Sequence, residues 1–434
     1  MRWSSGGIRS GSVWAIGLTA VRMLSAFLAV PLVIGALGEE RFGLWRLVAV
    51  FAVLASILDA GFTPYAKNRM TEARAADDRD GYLRYGRAAL EIGGLVALAG
   101  VILAGLFLLP DWRPLLGARD VLSRSEAATL MASVTLVMML MMALSGVDAA
   151  YDAAGRLSPP RIAGIVGVGL CFAGLVVAVR AGGGLLLVTI LTAMPTLAGR
   201  LLLLGQLMRE QSELLKRPPS SLRTERAEIL RRSSPFAMVQ AGNVGFAMIP
   251  AFFITQTVGL ASVAVFNLAN QLATLPMAVV AAVLPVFWPS FTLAYAQGHH
   301  APLFRRIRRV AWVSALGCVA FMGLLMLVGP WFSHIWTRGK ITLPAPLFAA
   351  FGAYVAVQVF AHWYATFLQS VSDFWYQTAC LAATLVILSA GLAVTRALAS
   401  PQTTALVMAF AVLLGQAIPY ALRVNHWKAI GQRS

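Results

Sequence analysis

Apolar residues along this chain gather into long blocks, and the short segments between the blocks carry most of the charge. Each block runs for roughly 18 to 25 residues, the length that an α-helix needs to cross the ~30 Å hydrocarbon core of a bilayer. Twelve blocks are predicted, at residues 12–36, 44–62, 86–109, 127–150, 161–179, 184–207, 235–256, 262–288, 310–333, 344–368, 374–396 and 402–423. The pattern predicts an all-α polytopic membrane protein of about twelve transmembrane helices.

The longest polar segment divides these helices into two sets of six. It contains Pro218-Pro219-Ser220-Ser221, and it separates an N-terminal lobe at 1–208 from a C-terminal lobe at 235–434, with 209–234 as a cytoplasmic linker. The two halves also align without gaps at a shift of 221 residues, which pairs Gly38 with Gly259. Parallel repeats of this kind are typical of transporters, where they enclose a central cavity.

The placement of charge predicts how the chain is oriented. The net charge is +17, and most Lys and Arg residues fall in segments on the same side as the two termini. The positive-inside rule makes that side cytoplasmic. We therefore expect a protein of the bacterial inner membrane with both termini in the cytoplasm. Basic residues placed as topology signals do not predict a nucleic-acid partner.

The sequence lacks the motifs of several enzyme classes. It contains no Walker A motif, HExxH, CxxC or GxSxG. ATP hydrolysis is therefore not expected, and neither is a metal or a cofactor. The three Cys residues all lie inside apolar blocks and follow no metal or redox spacing. We expect the chain not to be an enzyme.

Arginine residues inside the predicted helices need a physical reason, because a charge at mid-membrane costs roughly 2.5 to 3.5 kcal/mol on insertion scales. Arg22 lies in the middle of the first helix. It either contacts backbone carbonyls of a neighbouring helix or presents a cation to a cavity. Arg46 is a candidate for the same cavity or an interfacial anchor. Arg200 lies near the inner end of helix 6, where snorkelling to the interface is favoured.

Amide side chains form stripes on the helices of the second half. Facing lipid, they would leave donors unsatisfied at several kcal/mol each, so they face other helices or water. Interhelical hydrogen bonding and an aqueous cavity that binds a polar substrate both satisfy that condition. The candidate substrate-binding residues are Asn243, which corresponds to Arg22, and Asn267, Asn270, Gln271, Gln358 and His362.

Four acidic residues lie within or at the ends of predicted helices. Any of them could bind a coupling ion or proton, although acids at such positions are more often helix-end or ion-pair residues. They are Asp59, Glu91, Asp148 and Asp373.

Four short motifs occur along the chain in an order that is typical of one transporter family. They are Gly38-Glu39-Glu40-Arg41-Phe42-Gly43-Leu44-Trp45, Leu58-Asp59-Ala60-Gly61, Phe287-Trp288-Pro289-Ser290 and Arg305-Arg306-Ile307-Arg308-Arg309. Their order and spacing resemble the polysaccharide-transporter family of the MOP exporter superfamily, to which the Wzx-type O-antigen and capsule flippases belong.

The resemblance implies a two-lobed, MATE/MOP-like transporter. Its substrate would be undecaprenyl-diphosphate-linked oligosaccharide, moved from the cytoplasmic to the periplasmic leaflet for surface polysaccharide biosynthesis. Similar flippases bind the diphosphate through Arg residues of the N-terminal lobe, and Arg22 and Arg46 are the matching positions. The implied partners are the lipid-linked oligosaccharide, membrane lipids, and glycosyltransferases and a polymerase of the same pathway.

Two other functions fit part of the pattern. An ion-coupled multidrug or metabolite antiporter of the MATE type would share the helix count, but a net basic lumen repels cationic substrates. A membrane glycan-modifying enzyme would also be polytopic, but such an enzyme usually has a large external loop, and no external loop here exceeds roughly 20 residues.

Overall fold

The computed structural model describes residues 5–58, 62–156, 158–210, 213, 223–281, 284, 291, 295, 300–371 and 373–431. The regular structure in these ranges is helical. The chain forms two compact units, the first from Met1–Arg41 and Val48–Ala241 and the second from Phe42–Leu47 and Gly242–Ser434. Asp59 and the motif at 287–290 lie outside the described residues.

The helices are numbered in chain order. Those up to the end of the polar linker are α1 Ser5–Leu58, α2 Phe62–Ala75, α3 Arg79–Phe107, α4 Arg113–Leu116, α5 Arg124–Ala143, α6 Ser145–Ala153, α7 Ser158–Arg180, α8 Leu185–Glu210 and α9 Arg223–Arg232. Those that follow are α10 Ser234–Thr257, α11 Leu260–Ala273, α12 Leu275–Ala281, α13 His300–Trp336, α14 Ala345–Ser370, α15 Phe374–Val394, α16 Pro401–Val412 and α17 Ile418–Gly431.

Within the described ranges, nine helical segments are long and apolar enough to cross a membrane, and the bent pair of α11 and α12 makes ten. The predicted segment 44–62 falls on the part of α1 beyond Gly38, and the predicted segment 235–256 falls on α10. Helices therefore occupy the positions that hydropathy predicted, and the prediction of an all-α polytopic fold is confirmed.

Glycine turns the backbone at equivalent points of the two halves. Gly38 interrupts α1 with φ 78° and ψ 176°. Gly259, which is 221 residues further on, separates α10 from α11 with φ 105° and ψ 172°. L-residues almost never adopt this region of φ/ψ space. The shared geometry supports the internal repeat that the alignment suggested.

Two polar segments that hydropathy treats as loops are in fact helices. They are α2 and α9, and both contribute to the core of the first unit. Met70 of α2 and Ile229 of α9 are fully buried in the same cluster as Ala88 of α3 and Val147 of α6. A hydropathy window does not detect these helices because charged residues flank their few buried positions.

The fourth predicted membrane segment is one span built from two helices. The side chain of Ser123 caps the start of α5 by accepting from the Glu126 amide, and the Glu126 carboxylate accepts from the Ser123 amide. The helix ends at Ala143, and α6 begins at Ser145. The Ser145 hydroxyl donates to the Met142 carbonyl oxygen at 2.7 Å. The break exposes the carbonyl end of α5 inside the span.

Candidate functional site

Three charged side chains of the first unit form a cluster beside the α5–α6 break. Arg200 of α8 reaches Asp148 of α6, with 2.9 Å between Nη2 and Oδ2. Its Nη1 also donates to the Met141 carbonyl oxygen. Arg22 of α1 lies close enough to experience the charges of both Arg200 and Asp148. Arg22 and Arg200 carry two positive charges and Asp148 one negative charge, so these three side chains have a net positive charge.

The helix break explains why Arg200 takes this position. The last four carbonyls of a helix have no intrahelical partner, and Met141 is one of these residues in α5. An unsatisfied carbonyl at bilayer depth is expensive, and Arg200 satisfies it while also pairing with Asp148. The guanidinium of Arg200 thus binds the end of a neighbouring helix, a contact that the sequence did not predict, and its snorkelling to the interface stays a prediction.

Arg22 differs from Arg200 because its side chain is exposed. In the part of the chain that the structure describes, its guanidinium makes no hydrogen bond and no ion pair. The structure therefore does not show the contact with backbone carbonyls that was one of its two predicted roles. Its role in substrate binding stays a prediction.

Arg46 belongs to the second unit, where it is partly buried. The segment packs closely against Leu260 at Gly43, three residues before Arg46. A Cβ at position 43 would lie 2.1 Å from the Leu260 carbonyl oxygen, so only glycine fits there. Among the described residues, Arg46 has neither an ion pair nor a hydrogen bond. A guanidinium group has five N–H donors, and the role of Arg46 in substrate binding stays a prediction.

The amide stripe of the second unit divides into satisfied and unsatisfied members. Asn267 is only 6% exposed and donates to the Val263 carbonyl oxygen of its own helix at 3.0 Å. Asn270 is partly buried, and Asn243 is exposed. In Gln271, both polar side-chain atoms are buried and have no hydrogen-bond partner among the described residues. Asn267 therefore has a hydrogen bond within the protein, whereas the described residues supply none for Gln271.

A second unsatisfied amide lies on α14. Nε2 of Gln358 is 3.2 Å from Nδ1 of His362, while Oε1 of Gln358 is buried and has no partner in the described part of the chain. The helices α11 and α14 pack against each other, with 5.3 Å between the ring centroids of Phe266 and Phe351. Buried polar groups are nearly always hydrogen-bonded. These amide atoms on adjacent helices therefore have unused hydrogen-bonding capacity within the described protein.

The described acidic candidates are all engaged in ion pairs. Glu91 accepts from Arg87 at 2.9 Å and from Arg226 at 3.1 Å. Asp148 pairs with Arg200, and Asp373 Oδ2 accepts from Arg423 at 2.7 Å and from Trp427 at 2.9 Å. Their role in coupling stays a prediction. Among the described residues, no group of three or more His, Cys, Asp or Glu could hold a metal ion.

Sequence reasoning missed the pairing of Asp148 with Arg200 and the docking of α9. In α9, Glu228 accepts from the Tyr65 hydroxyl at 2.8 Å and from the Tyr85 hydroxyl at 2.7 Å. A signal for the first was available, since Asp148 and Arg200 are opposite charges that each lie within the inner third of a predicted helix. The partners of Glu228 depend on tertiary packing.

Residues 8–294 match the family described as polysaccharide biosynthesis protein. The chain belongs to this family. The match extends from the start of α1 beyond α12, and so covers well over half of the chain. Membership of the polysaccharide biosynthesis family confirms the resemblance that the short motifs indicated. A comparison with curated proteins gives no match.

Solved structures of transporters share the fold of this family member. A multidrug resistance MATE family transporter of the MOP superfamily, in its inward-facing conformation, superimposes with a TM-score of 0.74 at 16% identity, over 94% of this chain and 95% of that one. The lipid II flippase MurJ gives 0.70 at 11% identity, over 94% and 87%. A MOP superfamily transporter from Pyrococcus furiosus gives 0.67 at 16% identity, over 97% and 96%. These similarities establish a MATE/MOP fold.

Proposed function

We propose that this protein is a flippase that moves undecaprenyl-diphosphate-linked oligosaccharide from the cytoplasmic to the periplasmic leaflet, for the synthesis of a surface polysaccharide such as O-antigen or capsule. The observation that carries the proposal is the exposed guanidinium of Arg22, which has no hydrogen bond to the described protein and lies in a net cationic cluster. Membership of the polysaccharide biosynthesis family supports it.

The chemistry of the substrate matches this cluster. Guanidinium groups bind phosphate oxygens through paired, charge-assisted hydrogen bonds. Neither Arg22 nor Arg46 has a hydrogen bond or an ion pair among the described residues. A diphosphate that moves through the membrane must exchange its hydration for such donors. We assign Arg22 and Arg46 to the diphosphate.

The second unit supplies groups suited to sugars. Gln271 and Gln358 have buried amide atoms without partners, and sugar hydroxyls both donate and accept. The proposal assigns the sugar to these two with His362, Asn243 and Asn270, and gives Asn267 a supporting role because its amide already binds Val263. Residues 1–208 and 235–434 would act as the two lobes and 209–234 as their cytoplasmic linker.

The location and energy source complete the proposal. The charge distribution supports an inner-membrane protein with both termini in the cytoplasm, and pathway glycosyltransferases and a polymerase would be its partners. Of the four acids, Asp148 is the best candidate for coupling. Protonation of Asp148 would release Arg200 and increase the positive charge around Arg22.

Substitution of Arg22 tests the proposed function. In a deletion strain that carries Arg22→Ala, we expect about ten- to hundredfold less labelled lipid-linked sugar in the outer leaflet, because one charged contact with the diphosphate is worth roughly 1.5 to 3 kcal/mol. Arg22→Lys should retain part of the activity, since it keeps the charge without the planar fork.

Arg180→Ala is the matched control, because Arg180 is exposed at the end of α7. The three variants should insert at equal levels. Normal translocation in Arg22→Ala would contradict the assigned role. Resistance to cationic dyes on overexpression, with no effect on surface polysaccharide, would instead support the antiporter.

A further inference from the structure

A cavity of about 680 Å³ lies within the first unit, and Arg22, Arg200 and Asp148 are not among the residues that line it. Ligand pockets of proteins commonly have volumes in this range. The helices α3, α5 and α8 form its walls, and Arg226 of α9 lies at one end. The residues along its length are Leu90, Gly93, Gly94, Leu95, Ala97, Leu140, Ala143, Leu144, Leu197, Leu201, Leu204 and Met208.

The walls of this cavity are apolar, and they continue into the lipid-facing surface of the unit. Leu95 is 60% exposed and Leu201 is 52% exposed, although both line the cavity. Leu98 and Leu202, which follow on the same helices, are also exposed. Exposed leucines on membrane-spanning helices commonly face acyl chains. We infer from this that the cavity is a groove open to the hydrocarbon region.

One end of the groove is charged. Arg87 Nε lies 2.9 Å from Glu91 Oε1, and Arg226 Nη1 lies 3.1 Å from Glu91 Oε2. Arg87 and Arg226 carry two positive charges and Glu91 one negative charge, so these three side chains have a net positive charge. All three are less than one third exposed. Both arginines lie on the side of the membrane predicted to be cytoplasmic.

The length of the groove limits what fills it. Along α3 it runs from Arg87 to Ala97, which is about 15 Å at the rise of an α-helix. Half of a ~30 Å hydrocarbon core is the thickness of one leaflet. A single acyl chain of a phospholipid spans that distance, whereas an undecaprenyl chain is several times longer.

We propose that this groove binds an anionic phospholipid of the cytoplasmic leaflet, with its phosphate on Arg87 and Arg226 and an acyl chain against the leucines of α3, α5 and α8. Basic pockets between transmembrane helices on the cytoplasmic side bind acidic headgroups in this way. This site does not depend on the proposed transport function, although Glu91 is also one of the four coupling candidates. A lipid bound here would contact both α3 and the linker helix α9.

Substitutions on α3 test the site in the purified full-length protein. Gly94 lines the groove, and a Cβ at this position meets no atom within 4 Å. The Cβ of Gly94→Phe is therefore accommodated without a clash, and its ring fills the groove. Gly105→Phe is the matched control, because Gly105 is on the same helix, is equally open and lies outside the groove. The probes are phosphatidylglycerol and phosphatidylcholine in mixed micelles.

We expect phosphatidylglycerol to raise the Tm of the wild type and of Gly105→Phe more than phosphatidylcholine does, and to lose this effect with Gly94→Phe. A triple variant removes all three charges at once, so that no acid is left unpaired. It combines Arg87→Gln, Glu91→Gln and Arg226→Gln. It should weaken phosphatidylglycerol binding about tenfold or more.

Three results would overturn the proposal. The first is equal stabilisation by the two lipids, and the second is an unchanged preference in the triple variant. The third is displacement of phosphatidylglycerol by a lower concentration of undecaprenyl phosphate, which would make the groove a site for the substrate tail. Translocation of sugar is not measured in this experiment, so its outcome is independent of the proposed function.

Discussion

At the scale of single residues, the Asp148–Arg200 pair is the contact with the clearest energetic consequence. Both side chains are partly buried, and Arg200 also satisfies the Met141 carbonyl. Removal of one partner leaves the other charge in a poorly solvated site. The cost of losing one charge therefore exceeds the net value of the pair.

We predict that Asp148→Asn and Arg200→Gln each destabilise the protein and that the double variant loses less than the sum of the two. The coupling should fall between about 0.5 and 3 kcal/mol, as for other contacting pairs. A double-mutant cycle on unfolding in detergent measures it. Strict additivity would show that the two side chains do not interact in the folded protein.

At the scale of elements, the linker helix α9 is attached to the first unit through a charged network. Hydrogen bonds from Tyr85 and Tyr65 lower the pKa of Glu228, against the opposing effect of burial. Burial and the bond to Glu228 raise the pKa of Tyr65 to about 12. The stabilisation that ionised Glu228 contributes is therefore lost as the pH falls through its lowered pKa. The stabilisation that the protonated Tyr65 hydroxyl contributes is lost as the pH rises towards its pKa of about 12.

We predict that Glu228→Gln lowers the hydrogen-exchange protection of α9 about tenfold at neutral pH, because it replaces charge-assisted bonds with neutral ones. Acidification should have a similar effect in the wild type. Glu210→Gln is the control, since Glu210 pairs with Arg156 of the α6–α7 turn instead of α9. Equal protection in all three proteins would mean that other contacts hold the helix.

At the scale of the whole molecule, the equivalent turns at Gly38 and Gly259 allow a direct test of the repeat. A Cβ at either position meets no atom within 4 Å, so substitution by Ala changes only the backbone energy. We predict that Gly38→Ala and Gly259→Ala each cost roughly 1 to 3 kcal/mol. Thermal unfolding measures this, with Gly35→Ala as a control at an ordinary φ. A loss in only one half would argue against equivalence.

The parts of the fold that could be predicted from the sequence are those that depend on the surrounding membrane. A membrane forces each apolar block into a helix, so the predicted segments fall on helices. The hydropathy of a block does not determine which other helix it contacts. Arg200 was expected to reach the interface, and the sequence did not predict that it would bind a carbonyl at the α5–α6 break. Ser145-Gly146 was the signal, since such pairs are common causes of helix breaks.

The candidate site was predictable in its residue types only. The cost of a buried amide identifies Gln271 and Gln358 as residues that need partners. In the described protein, both polar side-chain atoms of Gln271 and Oε1 of Gln358 lack one. Asn267 looked identical in the stripe, yet its amide turns to its own helix. A one-dimensional pattern does not contain side-chain rotamers, which decide between these outcomes.

The two glycine turns also bear on ancestry. If the halves descend from one duplicated ancestor, most side chains were free to drift after duplication, because many apolar residues serve a lipid-facing helix equally well. A position whose backbone angles only glycine adopts readily could not change its residue in the same way. Gly38 and Gly259 would then preserve the oldest shared character of the two halves, and a search for distant kin would do better to anchor on this turn than on overall identity.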